Sequence, residues 1–173
     1  MTHAKDQEDR YRAAAEEFGP AMQRLACATE ANSARQADLL QEMHVALWQS
    51  LARFDGRCGL GTWVYRVTHN VAADHVRRER RHRQAAVPLD VVDQMPDGRS
   101  VSAEREHADA LARLHQWIRG LGPPDRQVML LYLEEVSAAD ISDITGLTPG
   151  AVATRISRLK SRLSSDFKES RHD

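Results

Sequence analysis

Residues 54–81 read FDGRCGLGTWVYRVTHNVAADHVRRERR, and this stretch decides the fold. Leu60, Val64, Val67 and Val71 recur at three- and four-residue spacing, which predicts one apolar stripe along a helix. Phe54-Asp55-Gly56 and Gly59 mark the loop before it. The apolar pattern stops in the arginine run, so the helix is expected to end at about 80–83. The same helix carries Trp63, Tyr65, a mid-helix Asn70 and a cluster of arginines. Single-stranded bases are held by stacking, by amide hydrogen bonds and by a basic track for the backbone. Each residue also has a plainer use. Trp63 suits a core, Asn70 suits a neighbouring backbone group, and Asp74 suits a local pair with Arg77 or Arg78.

Upstream, Leu40, Met43, Leu47 and Leu51 form a second stripe, with Asp38, Glu42 and Val45 on the opposite side. Downstream, residues 84–103 lose periodicity and contain Pro88, Pro96, Asp97-Gly98 and Ser100, which suits a linker between domains. Helical pattern returns at about Ala103 with Leu111, Leu114 and Ile118, and breaks at Gly122-Pro123-Pro124. A short helix with Val128, Leu131 and Tyr132 follows. Ser137–Thr145 and then Thr148 to about Ser165 have the form of a helix-turn-helix. Ser137 and Thr148 stand as N-caps, Pro149 in a first turn, and Gly146 where the chain must reverse. Val152, Ile156, Leu159 and Leu163 share one face of the last helix, and Arg155, Arg158 and Arg162 form a row beside it. That suits a helix in a major groove, but also an ordinary amphipathic hairpin with solvated arginines. The expected fold is all-α, with two helical domains at 1–83 and 104–173 joined by a flexible linker at 84–103.

Charge supports two sites of contact with phosphate. The 173-residue chain has 24 Lys and Arg against 25 Asp and Glu, yet residues 57–83 carry +5 and 149–173 carry +3, between stretches of −3 and −6. Blocks of this kind suit nucleic acid, although solvated helix ends would also produce them. No segment approaches the roughly 20 apolar residues of a membrane span, and the polar start MTHAKDQEDRYR has no apolar core of a signal peptide. Cys27 and Cys58 lack the spacing of a zinc site or a disulfide framework. A cytoplasmic protein is expected, with no cofactor, no metal site and no catalytic chemistry, since Ser-His-Asp, HExxH and P-loop arrangements are missing.

DLLQE at 38–42, RFDGR at 53–57, TWVYRV at 62–67, Asn70, Asp74 and Arg77-Arg78 resemble region 2 of extracytoplasmic-function sigma factors. LGPPDRQVMLLYLEEVSAADISDITGLTPGAVATRISRLKSRL at 121–163 resembles their region 4. The resemblance implies a transcription initiation factor whose partners are core RNA polymerase, through the β′ clamp helices and the β flap, and promoter DNA. An anti-sigma factor is a further candidate partner. It assigns Asp38, Gln41 and Glu42 to the polymerase. It assigns Arg57, Thr62, Arg66, His69, Asn70 and Ala73 to the melted −10 element, with Arg77, Arg78, Arg80 and Arg81 on phosphates. Thr148, Ala151, Thr154, Arg155, Arg158 and Arg162 fall to the −35 duplex. Gln36-Ala37 stands where many members have Ala-Glu, His44 where Phe is common, and Thr68-His69 where Ala-Arg is common. The last departure implies an altered −10 preference, with His69 changing the charge that faces the bases. The rivals are a stand-alone helix-turn-helix regulator, which leaves Trp63–Arg81 unexplained, and a helical adaptor or anti-sigma-like protein.

Overall fold

The structure, a computed structural model, describes the backbone of residues 2–85 and 103–169, with side chains over 5–82, 84 and 105–168. Among these residues all regular structure is helical. The first unit is a bundle of α1 (Thr2–Thr29), α2 (Ser33–Leu51) and α3 (Leu60–Ala85). In α1, Ala14, Met22, Leu25 and Ala26 are buried and Phe18 packs beside them, so an apolar stripe runs down its second half. At its end Glu30 and His75 of α3 form a buried contact of 3.0 Å. Burial raises the Glu30 carboxyl, but the Asn32 N–H, His75 and the Ala31 N–H outweigh it and hold the group below its usual range. The Asn32 side chain then caps α2 by accepting from the Arg35 N–H at 3.1 Å.

On α2 the fully buried residues are Leu39, Met43, Leu47 and Leu51. Leu40, expected in that stripe, is only half-buried. The physical reason is that α2 packs against both α1 and α3, which turns its buried arc toward Leu39. Trp63 belongs to the core margin: its ring meets Phe54 edge-on at 5.4 Å and its N–H donates to Ser50 Oγ at 3.0 Å. Helix α3 runs to Ala85, slightly beyond the expected end, and α4 begins at Ala103. The linker expectation for 86–102 lies outside the described residues.

The second unit comprises α4 (Ala103–Arg119), α5 (Pro123–Leu133), α6 (Ala138–Thr145) and α7 (Pro149–Glu169). Pro123 and Pro124 begin α5 rather than merely ending α4, because a missing N–H costs nothing in a first helical turn. Ser137 Oγ caps α6 by accepting from the Asp140 N–H at 3.1 Å, and Gly146 closes it with φ of 73°. Val128, Leu131, Ile141, Ile144 and Val152 bury the helix-turn-helix core. The two units share apolar contacts: Ile118 and Leu130 join the first core, and Tyr65 packs against the second.

Candidate functional site

Helix α2 turns Asp38, Gln41 and Glu42 outward, as their places opposite the buried stripe require. Val45 and Trp48 continue the same face and remain 55% and 48% exposed. Trp48 escaped the reading of the sequence. Its signal was an aromatic three residues after Val45, on the side away from Leu39 and Met43. Glu42 accepts from Arg78 of α3 at 2.6 Å, so the α2 face continues onto α3 as a groove lined by Asp38, Gln41, Glu42, Val71 and Asp74.

Along α3 the residues expected at melted DNA have different surroundings. Arg57 is exposed in the loop and donates to Asp55 at 2.5 Å. Thr62 donates to Asp140 Oδ1 of α6 at 3.1 Å, and Arg66 to the carbonyl of Asp143 at 3.2 Å. Asn70 is exposed and has no hydrogen-bond partner among the described residues, while Ala73 is half-buried. Arg77 pairs with Asp74; Arg80 and Arg81 are exposed and carry no ion pair among the described residues. His69 differs from expectation. Only 4% of it is exposed, and burial pushes its imidazole down to about 3, so it stays neutral and inward. It therefore brings no charge to face bases in this arrangement. The cause is that α3 turns Val64, Thr68 and His69 inward, where α4 and α5 of the second unit share the cavity that His69 lines.

Thr148 precedes the last helix and caps it, its Oγ1 accepting from the Ala151 N–H at 3.3 Å. Ala151 is half-buried and Thr154 exposed. Arg155 is half-buried and donates to Asp125 at the start of α5, and Arg158 donates to the other oxygen of that carboxylate at 2.8 Å. Arg162 is exposed beside Asp166 at 3.8 Å. Ala153 and Ser157 are exposed beside Thr154 and were missed. At 3.6 residues per turn, positions 154, 157 and 161 lie opposite Val152, Ile156 and Leu159, and that spacing was the available signal.

These surfaces are not equally open. Arg24 of α1 makes a two-point pair with Glu134 at 2.6 and 2.7 Å, and Arg119 reaches the carbonyl of Cys27 at 3.4 Å. Together with the Thr62 and Arg66 contacts they close the units on each other. The first helix of the helix-turn-helix thus covers part of α3, while the outer faces of α2 and α7 remain accessible. Among the described residues, no group of His, Cys, Asp and Glu is placed to hold a metal ion, and no helix is long and apolar enough to cross a membrane.

Residues 14–82 match the family described as sigma-70 region 2, and residues 111–163 match sigma-70, region 4. The ECF RNA polymerase sigma factor SigE of Mycolicibacterium smegmatis is 31% identical over 142 residues, covering 81% of this chain and 54% of that protein. The probable RNA polymerase sigma factor RfaY of Xanthomonas campestris is 25% identical over 151 residues, 83% of this chain and 36% of its own length. The chain thus spans about half or less of either relative. The sigma factor RpoE of Bartonella quintana, solved in complex with the anti-sigma factor NepR, has the same fold. Its TM-score is 0.71 at 20% identity, over 91% of this chain and 96% of that one.

Proposed function

Because the chain belongs to the extracytoplasmic-function group of the sigma-70 family, we propose that it is a transcription initiation factor for RNA polymerase. It binds the core enzyme and directs it to promoters by reading the −35 element as duplex and the −10 element as melted strand. It works in the cytoplasm and contributes binding, not bond chemistry. One observation carries this: Asp38, Gln41, Glu42, Val45 and Trp48 share the outward side of α2. An exposed apolar pair beside acidic and amide groups suits a protein partner, since aromatic residues ringed by polar ones dominate such interfaces. A factor that binds only duplex DNA has no use for that face.

We assign the α2 face to the β′ clamp helices and the second unit to the β flap. Arg57, Thr62, Arg66, Asn70 and Ala73 serve the −10 strand, with Arg77, Arg78, Arg80 and Arg81 following its phosphates. On α7, Thr148, Ala151, Thr154 and Arg158 approach the −35 duplex, joined by Ala153 and Ser157, and Arg162 meets phosphate. Arg155 shifts in role: its hold on Asp125 makes it a positioning residue that sets the pitch of α7 on α5. Thr62 and Arg66 must leave α6 before they meet DNA, so polymerase and DNA would favour an opened form by population shift. The NepR complex of the similar RpoE supports an anti-sigma factor as a further partner. Run-off transcription with purified core polymerase tests the function. Promoter-dependent transcript appears only when the chain is added; failure to compete with another sigma factor for core enzyme overturns the assignment.

A further inference from the structure

Where the units meet, α1 and α3 of one and α4 and α5 of the other line a cavity of about 160 Å³. Met22, Leu25, Val64, Leu114, Ile118 and Leu130 make most of its wall apolar. Its size is comparable to that of a dry, aliphatic-lined cavity known to take up benzene, about 150 Å³.

Two features go beyond what packing two units together requires. First, His69 lines the cavity, is 4% exposed, and has no hydrogen-bond partner among the described residues. Burial keeps its imidazole neutral, so it presents one N–H and one lone pair. An imidazole on the wall of a cavity with no partner among the described residues is free to bond an occupant. His115 of α4 also lines the cavity and likewise has no hydrogen-bond partner among the described residues. Second, Leu111 and Leu133 border the cavity yet remain 44% and 42% exposed, leaving an apolar rim open to solvent.

We infer that this seam is a binding site for a small, single-ring apolar compound bearing one hydroxyl or similar group, with His69 as its polar anchor. The ring fills the apolar wall, and the hydroxyl donates to the bare imidazole nitrogen or accepts from its N–H. A molecule seated there touches both units, so it binds the closed arrangement and stabilises it by mass action. Binding itself needs neither polymerase nor DNA; only its consequence for transcription rests on the proposed function.

Phenol and toluene, titrated into the full chain alone, test the site. Intermolecular NOEs to the methyl groups of Leu25, Ile118 and Leu130 report location, and the titrations report affinity. A cavity without a polar anchor prefers toluene, because phenol must give up hydrogen bonds to water. The wild type is expected to bind phenol at least as tightly as toluene. His69→Leu, which keeps an apolar wall, should move that preference toward toluene by about tenfold, corresponding to about 1.4 kcal/mol. The wild-type comparison stands even if the variant fails to fold. Preference of the wild type for toluene, or the absence of saturable NOEs from phenol, overturns the proposal.

Discussion

Arg78 on α3 donates to Glu42 on α2 at 2.6 Å, so a residue assigned to promoter phosphate and one assigned to polymerase are partners in the free chain. Both side chains are 45% exposed, and a pair so open contributes no more than about 1 kcal/mol. Either partner can therefore be drawn away cheaply. Under the proposed assignments, polymerase and −10 DNA would meet the protein at one corner, and binding of one would bear on the group that receives the other.

The polymerase face is tested by truncation. Asp38→Ala with Gln41→Ala should weaken core binding by on the order of 1 kcal/mol for each contact, and Trp48→Ala by about 2 kcal/mol if it is the buried anchor of the complex. All three residues are exposed, so helicity should be unchanged by circular dichroism. Competition against another sigma factor for core enzyme measures the loss.

Arg155 and Arg158 share one carboxylate but should behave differently. Asp125→Ala is expected to lower stability by about 1–3 kcal/mol, because the part-buried Arg155 is left unmet, and Arg155→Ala by less, because Arg158 still meets Asp125. Both should weaken all −35 variants alike. Arg158→Ala should instead relax preference at one or two −35 positions, at about 1–3 kcal/mol for a lost base contact. Unfolding curves and a panel of −35 duplexes separate the two roles; relaxed specificity with unchanged stability in Arg155→Ala would return that residue to the bases.

Asn70 has the opposite character. It is exposed and makes no hydrogen bond among the described residues, so Asn70→Ala should change stability by less than about 0.5 kcal/mol. An amide there offers donor and acceptor to an extruded base. The substitution should impair binding to a pre-melted promoter bubble and slow open-complex formation more than initial binding. Bubble and duplex affinities, measured in holoenzyme, decide it.

Acid should loosen the protein through His69. Its folded value of about 3 lies below the ordinary 6.5, so the unfolded chain binds the extra proton first. The stabilisation is complete above pH 6.5 and is lost progressively as pH falls toward 3. Between pH 7 and pH 5 the loss is about 2 kcal/mol. The buried Glu30, held below its usual range, adds a loss of the same sign at lower pH. Denaturant titrations at both pH values should show a smaller difference in His69→Leu.

Closure should depend on the Arg24–Glu134 pair. Glu134→Lys sets two cations against each other and should raise the radius of gyration by small-angle scattering, with Tyr65 fluorescence and Thr62 accessibility following. Arg24→Glu added to it should restore closure. An unchanged radius in the single variant would show that the apolar contacts of Tyr65, Ile118 and Leu130 hold the units together unaided.

Much was written in local chemistry. The caps at Ser137 and Thr148, the proline at the head of α7 and the reversal at Gly146 are properties of a few adjacent residues, and the sequence alone determined the helix-turn-helix. Periodicity likewise settled that α2 and α3 exist and which side of α2 faces out. A stripe of leucines states that a helix is buried but not how many neighbours bury it; packing against both α1 and α3 moved the seat from Leu40 to Leu39. A row of arginines states basic character but not which members are engaged. Only the tertiary structure brought Asp125 to Arg155, thirty residues apart in sequence, and Glu134 to Arg24, a hundred and ten apart. His69 shows the same limit: beside Asn70 it resembles a base contact, and only the closing of the second unit over α3 made it a neutral, buried group. Contacts between distant segments depend on how whole helices dock, and no local pattern encodes that.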